Sequence, residues 1–131
     1  MVVLEELLSV VRLQRRLEEH RLEFPQHLHT FSDYLMTTPP SRVLAVLALP
    51  SRRTIEGSDW TRFITIGRFR AAFSVIEELA HILTPAVLST GILPTIIPYN
   101  YKAFEGMTWQ TPIIRSLKSN GLMLFDSVRR R

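Results

Sequence analysis

Residues 56–83, EGSDWTRFITIGRFRAAFSVIEELAHIL, form the longest patterned run of the chain. From Phe69 onward, apolar side chains recur every three or four residues, which is typical of the core-facing side of an amphipathic helix. This predicted core stripe consists of Phe69, Ala72, Phe73, Ile76, Leu79, Ala80 and Leu83. Before Phe69, bulky side chains such as Trp60 place apolar surface on several sides, so this half requires apolar neighbours around it. The run therefore predicts a central helix that is capped at its start by Ser58 or Asp59.

Gly67 lies in the middle of this predicted helix. Glycine in a helix interior costs about 1 kcal/mol relative to alanine, so its presence there needs a compensating reason. Because glycine has no Cβ, a neighbouring chain can approach it more closely than it can approach any other residue. We therefore predict that another backbone segment contacts Gly67.

A second apolar run, SRVLAVLAL at residues 41–49, precedes this stretch and is closed by Pro50. Its periodicity would also fit a buried strand. We predict a helix, because the neighbouring segments offer no strand partner that is joined to this run by a turn of the Asn-Gly type. Ser41 has the side chain of a helix cap at the start of the run.

Helical spacing extends over most of the remaining chain. Residues 2–24 show a broad apolar face, and residues 26–36 form a second helical piece before a loop of threonine and proline at 37–40. Towards the end of the sequence, we predict a helix that begins near Thr108, has Pro112 in about its first turn and stops at residues 120–121. A last short amphipathic helical turn follows.

Residues 82–101 carry no charged side chain and are long enough to cross a bilayer, which takes ~20 apolar residues. The prolines at positions 85, 94 and 98 argue against one continuous spanning helix. We predict instead a helical hairpin packed in the core, with Thr84 as a cap and Pro85 in a first helical turn. Membrane association is compatible with this pattern, but a membrane span is not expected.

The composition favours one folded domain. The chain has 131 residues, of which 46% are hydrophobic, enough for one core and too few for two domains of typical size. We predict a single all-α domain over residues 1–131, with about seven or eight helices around the central one. The chain has no cysteine, which excludes disulfides and thiolate sites, and its start lacks the pattern of a secretory signal.

Candidate catalytic and metal-binding clusters are weak. His27, His29 and Asp33 could share a metal ion, but a solvated helix face explains them better. Residues 74–81 place Ser, Glu and His on one side of the predicted central helix, whereas a catalytic triad needs groups that converge from different elements around an oxyanion hole. We predict no catalytic residues, no metal, no cofactor and no enzymatic activity.

Three arginines near the centre of the chain could suggest a nucleic-acid partner. Arg62 and Arg68 do not share a helical arc with Arg70, and Glu77 and Glu78 follow closely. A continuous basic track is therefore not formed, and no nucleic-acid binding is predicted. Arg62 differs from the other two because it lies among bulky apolar residues, where a cation requires a carboxylate partner.

Residues 56–73, EGSDWTRFITIGRFRAAF, resemble the first homology motif of the Bcl-2 family, in which an acidic-Gly turn leads to Asn-Trp-Gly-Arg and an apolar helix with a Phe. Trp60 and Arg62 match this motif, Asp59 stands for the Asn, and Phe69 falls near the Phe. Two further matches follow the family's order: FEGMTWQTPIIRSL is similar to its second motif, with Gly106 and Trp109 as anchors, and HTFSDYL looks like the end of its second helix.

This resemblance implies a Bcl-2-like helical bundle with a hydrophobic groove that receives the amphipathic BH3 helix of a pro-apoptotic protein. In the family, the arginine of the first motif pairs with an aspartate of the ligand, so Arg62 would be the cation of the groove. Thr61 stands where the family has Gly, and a side chain there would hinder the close approach of the ligand helix. The implied groove residues are Trp60, Thr61, Arg62, Phe63, Phe69, Val43, Leu44 and Leu47.

The resemblance also implies a function. A compact member without a C-terminal membrane anchor is what a viral homologue would look like, so we predict a virus-encoded inhibitor of apoptosis that sequesters host pro-apoptotic proteins by their BH3 motifs. It would act in the host cytoplasm or at the surface of the mitochondrial outer membrane, and its apolar groove could also form a homodimer. The alternative is a helical subunit or interaction module of a larger assembly that binds no BH3 helix.

Overall fold

The computed structural model describes residues 2–14, 24–50 and 60–127. This part of the chain is a mixed α/β fold, with 51% of residues helical and 22% in strands, so the prediction of an all-α bundle of seven or eight helices is wrong. The elements, in chain order, are α1 (Leu4–Gln14), α2 (Gln26–Thr37), β1 (Val43–Leu49), β2 (Arg62–Gly67), α3 (Ala72–Thr90), β3 (Thr95–Asn100), α4 (Tyr101–Glu105), α5 (Pro112–Asn120) and β4 (Leu122–Asp126).

The four strands form one sheet in the order β3-β2-β1-β4. β1 pairs antiparallel with both β2 and β4, and β3 pairs parallel with β2 after the crossover through α3. Side chains of α2 and α3 fill the apolar cluster on one face of the sheet. Side chains of α1, α4 and α5 fill a second cluster on the other face. The described fold therefore has three layers, with helices on both sides of the sheet.

The central position of β1 explains why residues 41–49 do not form the predicted helix. Val46 and Ala48 belong to one apolar cluster, whereas Leu47 and Leu49 belong to the other. A strand that is buried on both faces has a continuous apolar sequence, which periodicity does not distinguish from a buried helix. Its antiparallel partners are β2 and β4, and even β2, the next strand along the chain, begins only at Arg62.

The predicted central helix is wrong in its first half and correct in its second. Residues 62–67 form β2, in which the β-branched Ile64, Thr65 and Ile66 are all buried and suit a pleated strand. The helix begins only at Ala72. The predicted caps at positions 58 and 59 lie outside the described residues.

The predicted hairpin over residues 82–101 is also wrong. α3 continues through Pro85 to Thr90 and ends at Gly91, which adopts a left-handed conformation with φ 72°. The residues that follow form the edge strand β3, which contains Pro98. An edge strand tolerates proline because one side of its backbone has no strand partner in the sheet.

The outer helices agree better with their sequence patterns. α2 covers the predicted second helical piece. α5 ends at Asn120, as predicted, but it starts at Pro112 rather than near Thr108. Of the predicted helix at residues 2–24, the described part contains α1, and residues 15–23 lie outside the described residues. The predicted last helical turn is instead β4, which lies at the second edge of the sheet.

Candidate functional site

The apolar residues of the predicted groove lie on opposite faces of the sheet. Val43 and Phe63 are buried in the cluster beneath α2 and α3, and the Phe63 ring meets Phe31 edge-on with 5.2 Å between ring centroids. Leu47 is buried in the opposite cluster, against which Leu44 packs. The sheet separates these side chains, so they do not line a common groove.

Trp60, Thr61 and Arg62 lead into β2 rather than into a helix. Trp60 has a left-handed φ of 54°, and its buried ring packs edge-on against Phe24. The Thr61 carbonyl accepts a hydrogen bond of 2.7 Å from the backbone N–H of Thr95. Arg62 is the half-buried first residue of β2, and the described residues contain no ion pair to it.

Phe69 lies between β2 and α3. Its half-buried side chain packs against the cluster beneath α2 and α3. Its carbonyl accepts a 2.5 Å hydrogen bond from the Asn100 side-chain nitrogen Nδ2, which ties the ends of the parallel strands β2 and β3 together. Phe69 therefore has a structural role in joining these strands to the core.

α3 has an inner and an outer face of different character. The inner face buries Val75, Leu79, Leu83 and Ala86 against the sheet. The outer face exposes two large apolar side chains, Phe73 at 72% and Leu88 at 79% relative accessibility. Large apolar side chains that share one exposed helix face are typical of an interaction surface.

The side chains between Phe73 and Leu88 complete this outer face. Positions 73, 77, 80, 84 and 88 recur at the spacing of one helical face. They are Phe73, Glu77, Ala80, Thr84 and Leu88, and all five are exposed. We call these five residues the α3 outer face. It has a large apolar group at each end, a polar group one turn inward from each end, and a small residue near its centre.

The charged side chains around the α3 outer face differ in the contacts that they make. Both carboxylate oxygens of Glu78 hold Ser41, whose backbone N–H donates a bond of 2.6 Å and whose hydroxyl donates one of 3.2 Å. Glu77 and His81 are exposed and one turn apart, and within the described part of the chain no ion pair joins them. Glu77 is therefore the carboxylate that the outer face presents to a partner.

The sequence pattern misplaced part of α3. The predicted core stripe included Phe73 and Ala80, which the structure exposes, and omitted Val75 and Ala86, which it buries. The missed signal is that α3 carries apolar residues on two opposite sides. Such a pattern predicts either a helix buried all round or one with an apolar face left for a partner.

α3 is long and apolar enough to cross a membrane, by length and composition alone. Its inner face, however, forms part of the core of a folded sheet structure. Among the described residues, no group of three or more His, Asp or Glu side chains could hold a metal ion. His27, one of the candidate ligands, is buried and packs against Phe31.

No protein-family model, curated protein or solved structure matches this chain. The resemblance to the Bcl-2 family therefore remains a prediction from the quoted motifs.

Proposed function

We propose that the protein is an interaction module that pairs with a second copy of itself through the α3 outer face. The observation that carries this proposal is the exposure of Phe73 and Leu88 at the two ends of one helical face. Two such faces bury each other's apolar ends when the helices lie antiparallel about a two-fold axis, which is the commonest symmetry of protein dimers.

The order of side chains along the face fits this arrangement. With the axis between Ala80 and His81, residues at equal distances from it face each other, which places Phe73 against Leu88 of the partner subunit. The small Ala80 near the axis allows the helix backbones to approach closely. Glu77 comes within one turn of His81 of the partner subunit, whose ring N–H can donate a hydrogen bond to the carboxylate.

The expected affinity is modest. Burying a Phe or Leu side chain contributes about 1.5–3 kcal/mol, so two copies of each give roughly 6–12 kcal/mol. Association costs an estimated ~4–15 kcal/mol in lost translational and rotational freedom. These quantities are similar in size, and the remaining contacts around the helix decide the balance. A small net free energy means a weak dimer: about −4 to −6 kcal/mol corresponds to a dissociation constant between about 1 mM and tens of micromolar.

Sedimentation velocity from about ten micromolar to about one millimolar tests the proposal. The wild-type protein is expected to shift from monomer to dimer as its concentration rises. The double variant Phe73→Ser/Leu88→Ser should remain monomeric, because it removes the apolar ends of the face. Leu13→Ser is the matched control, since Leu13 is also highly exposed but lies on α1. A wild-type protein that stays monomeric, or an equal loss of dimer in the control, would contradict the proposal.

BH3 binding remains a prediction from the sequence, and the residues assigned to its groove do not form one in the described fold. Titration calorimetry with BH3 peptides, with Arg62→Ala as the control, tests it separately. In addition, flotation with anionic lipid vesicles tests whether the α3 outer face meets a membrane surface. If the protein binds vesicles but does not dimerise, its partner is a membrane surface and not a second copy of the chain.

A further inference from the structure

A cleft of about 460 Å³ opens at the end of the sheet where β1 begins and β2 and β4 end. Arg42 and Arg68 lie on its rim as exposed residues. Its apolar lining includes Pro40, Val43 and Phe125, all of which are largely buried. This volume is within the range of small-molecule sites, which combine an apolar lining with a few placed polar groups.

The two arginines are held opposite each other across the strand pair. They lie one position beyond the paired residues Val43 and Gly67, and the Arg68 backbone N–H donates a 2.8 Å hydrogen bond to the Arg42 carbonyl. Residues directly opposite on antiparallel strands place their side chains close together, and like charges there repel. An anion that both arginines contact in the cleft would reduce this repulsion.

Hydrogen bonds hold the backbone in place on two sides of the cleft. Glu78 binds Ser41, which precedes Arg42, through both carboxylate oxygens. On the other side, the backbone N–H and the hydroxyl of Ser127 donate to the Leu44 carbonyl at 3.0 and 3.1 Å. The cleft lining contains no Asp or Glu side chain, so within the described residues the arginine charges are not balanced inside it.

The Arg68 guanidinium is also oriented from one side. Its central carbon Cζ lies 4.9 Å from the centroid of the Tyr101 ring. A cation–π contact of this kind leaves the N–H groups at the edge of the guanidinium available to an anion. The Tyr101 ring at the start of α4 therefore supports Arg68 from one side.

We propose that this cleft binds a small phosphate monoester with an apolar organic part. Two arginines that line one cleft favour a doubly charged partner, and a phosphate monoester carries roughly −1.5 to −2 charges at neutral pH, whereas a carboxylate carries one. The apolar lining of the cleft receives the organic part. The site uses residues outside the α3 outer face, so it does not depend on the proposed dimer.

Titration calorimetry with phenyl phosphate tests this site in the full-length protein. Phenyl phosphate is expected to bind at least about tenfold more tightly than inorganic phosphate, which lacks the ring, and than benzoate, which carries one charge. Amide chemical shifts should change at Val43, Gly67 and Ser127, which surround the cleft. Absence of saturable binding, or shift changes confined to other regions, overturns the proposal.

Substitutions distinguish specific binding in the cleft from attraction of anions by the net positive charge of the protein. Arg42→Gln and Arg68→Gln should each weaken phenyl phosphate binding by about tenfold or more. Arg115→Gln is the matched control, because it removes an exposed arginine of α5, and it should leave binding unchanged. An equal effect of all three substitutions would show attraction by net charge alone and would contradict the proposed site.

Discussion

At the scale of single residues, the fold depends on Gly67, the last residue of β2. A Cβ at this position would lie closer to the Arg42 carbonyl oxygen than side chains tolerate. The prediction that a backbone approaches Gly67 is therefore confirmed, although the residue lies in a strand rather than in a helix. The same approach brings Arg42 and Arg68 together at the cleft.

Gly67→Ala is expected to destabilise the protein by about 1–3 kcal/mol, because β1 has to shift to accommodate the new methyl group. Urea unfolding measures the free-energy change. Gly106→Ala is the control, since the nearest heavy atom to a Cβ there is 3.7 Å away, which is an ordinary contact. A Gly67 variant as stable as the Gly106 variant would contradict the close approach.

Arg12 is the second residue whose substitution is expected to lower the stability of the protein substantially. It forms an ion pair with Asp126, and the two side chains are only 14% and 7% exposed. Arg12→Met leaves the carboxylate without this partner and should cost about 3 kcal/mol. Arg115→Met, on the exposed side of α5, should change stability by less than ~0.5 kcal/mol. Denaturant unfolding measures the free energy of unfolding of both variants. Equal values would show that the buried ion pair does not stabilise the fold.

At the scale of elements, amphipathic helices could be predicted from the sequence and central strands could not. α2 and α5 have one apolar side and recognisable ends, so local pattern located them. β1 and β2 have apolar residues on both sides, because helices cover both faces of the sheet, and local periodicity does not reveal a distant strand partner. The Trp60–Arg62 motif was assigned to a helix for the same reason.

Two leucines of α3 test the division of this helix into two faces. Leu79 is fully buried, whereas Leu88 is mostly exposed. Leu79→Ala should therefore destabilise the monomer by ~2–5 kcal/mol through the cavity that it leaves. Leu88→Ala should change monomer stability by less than ~0.5 kcal/mol. Thermal unfolding at a concentration below the dimerisation range measures both, and the reverse order would contradict the assigned faces.

At the scale of the whole molecule, α3 contributes one of its faces to the core and exposes the other. α3 connects the parallel strands β2 and β3 and covers one face of the sheet, yet its other side remains apolar and exposed. The sequence contained both apolar sides, but only the position of the sheet shows which one is buried. The cleft residues Arg42 and Arg68 were likewise visible in the sequence, but their proximity depends on the β1–β2 pairing.

The most direct test of self-association uses complementary charges at the two-fold axis. Ala80→Glu and Ala80→Lys should each be monomeric alone, because like charges meet near the axis. Mixed in equal amounts, they should form a heterodimer, since opposite charges then face each other. Sedimentation velocity of the three samples beside the wild type is decisive. If the wild type and the mixture form dimers and each variant alone does not, antiparallel pairing through α3 is supported. A monomeric mixture beside a dimeric wild type would contradict it.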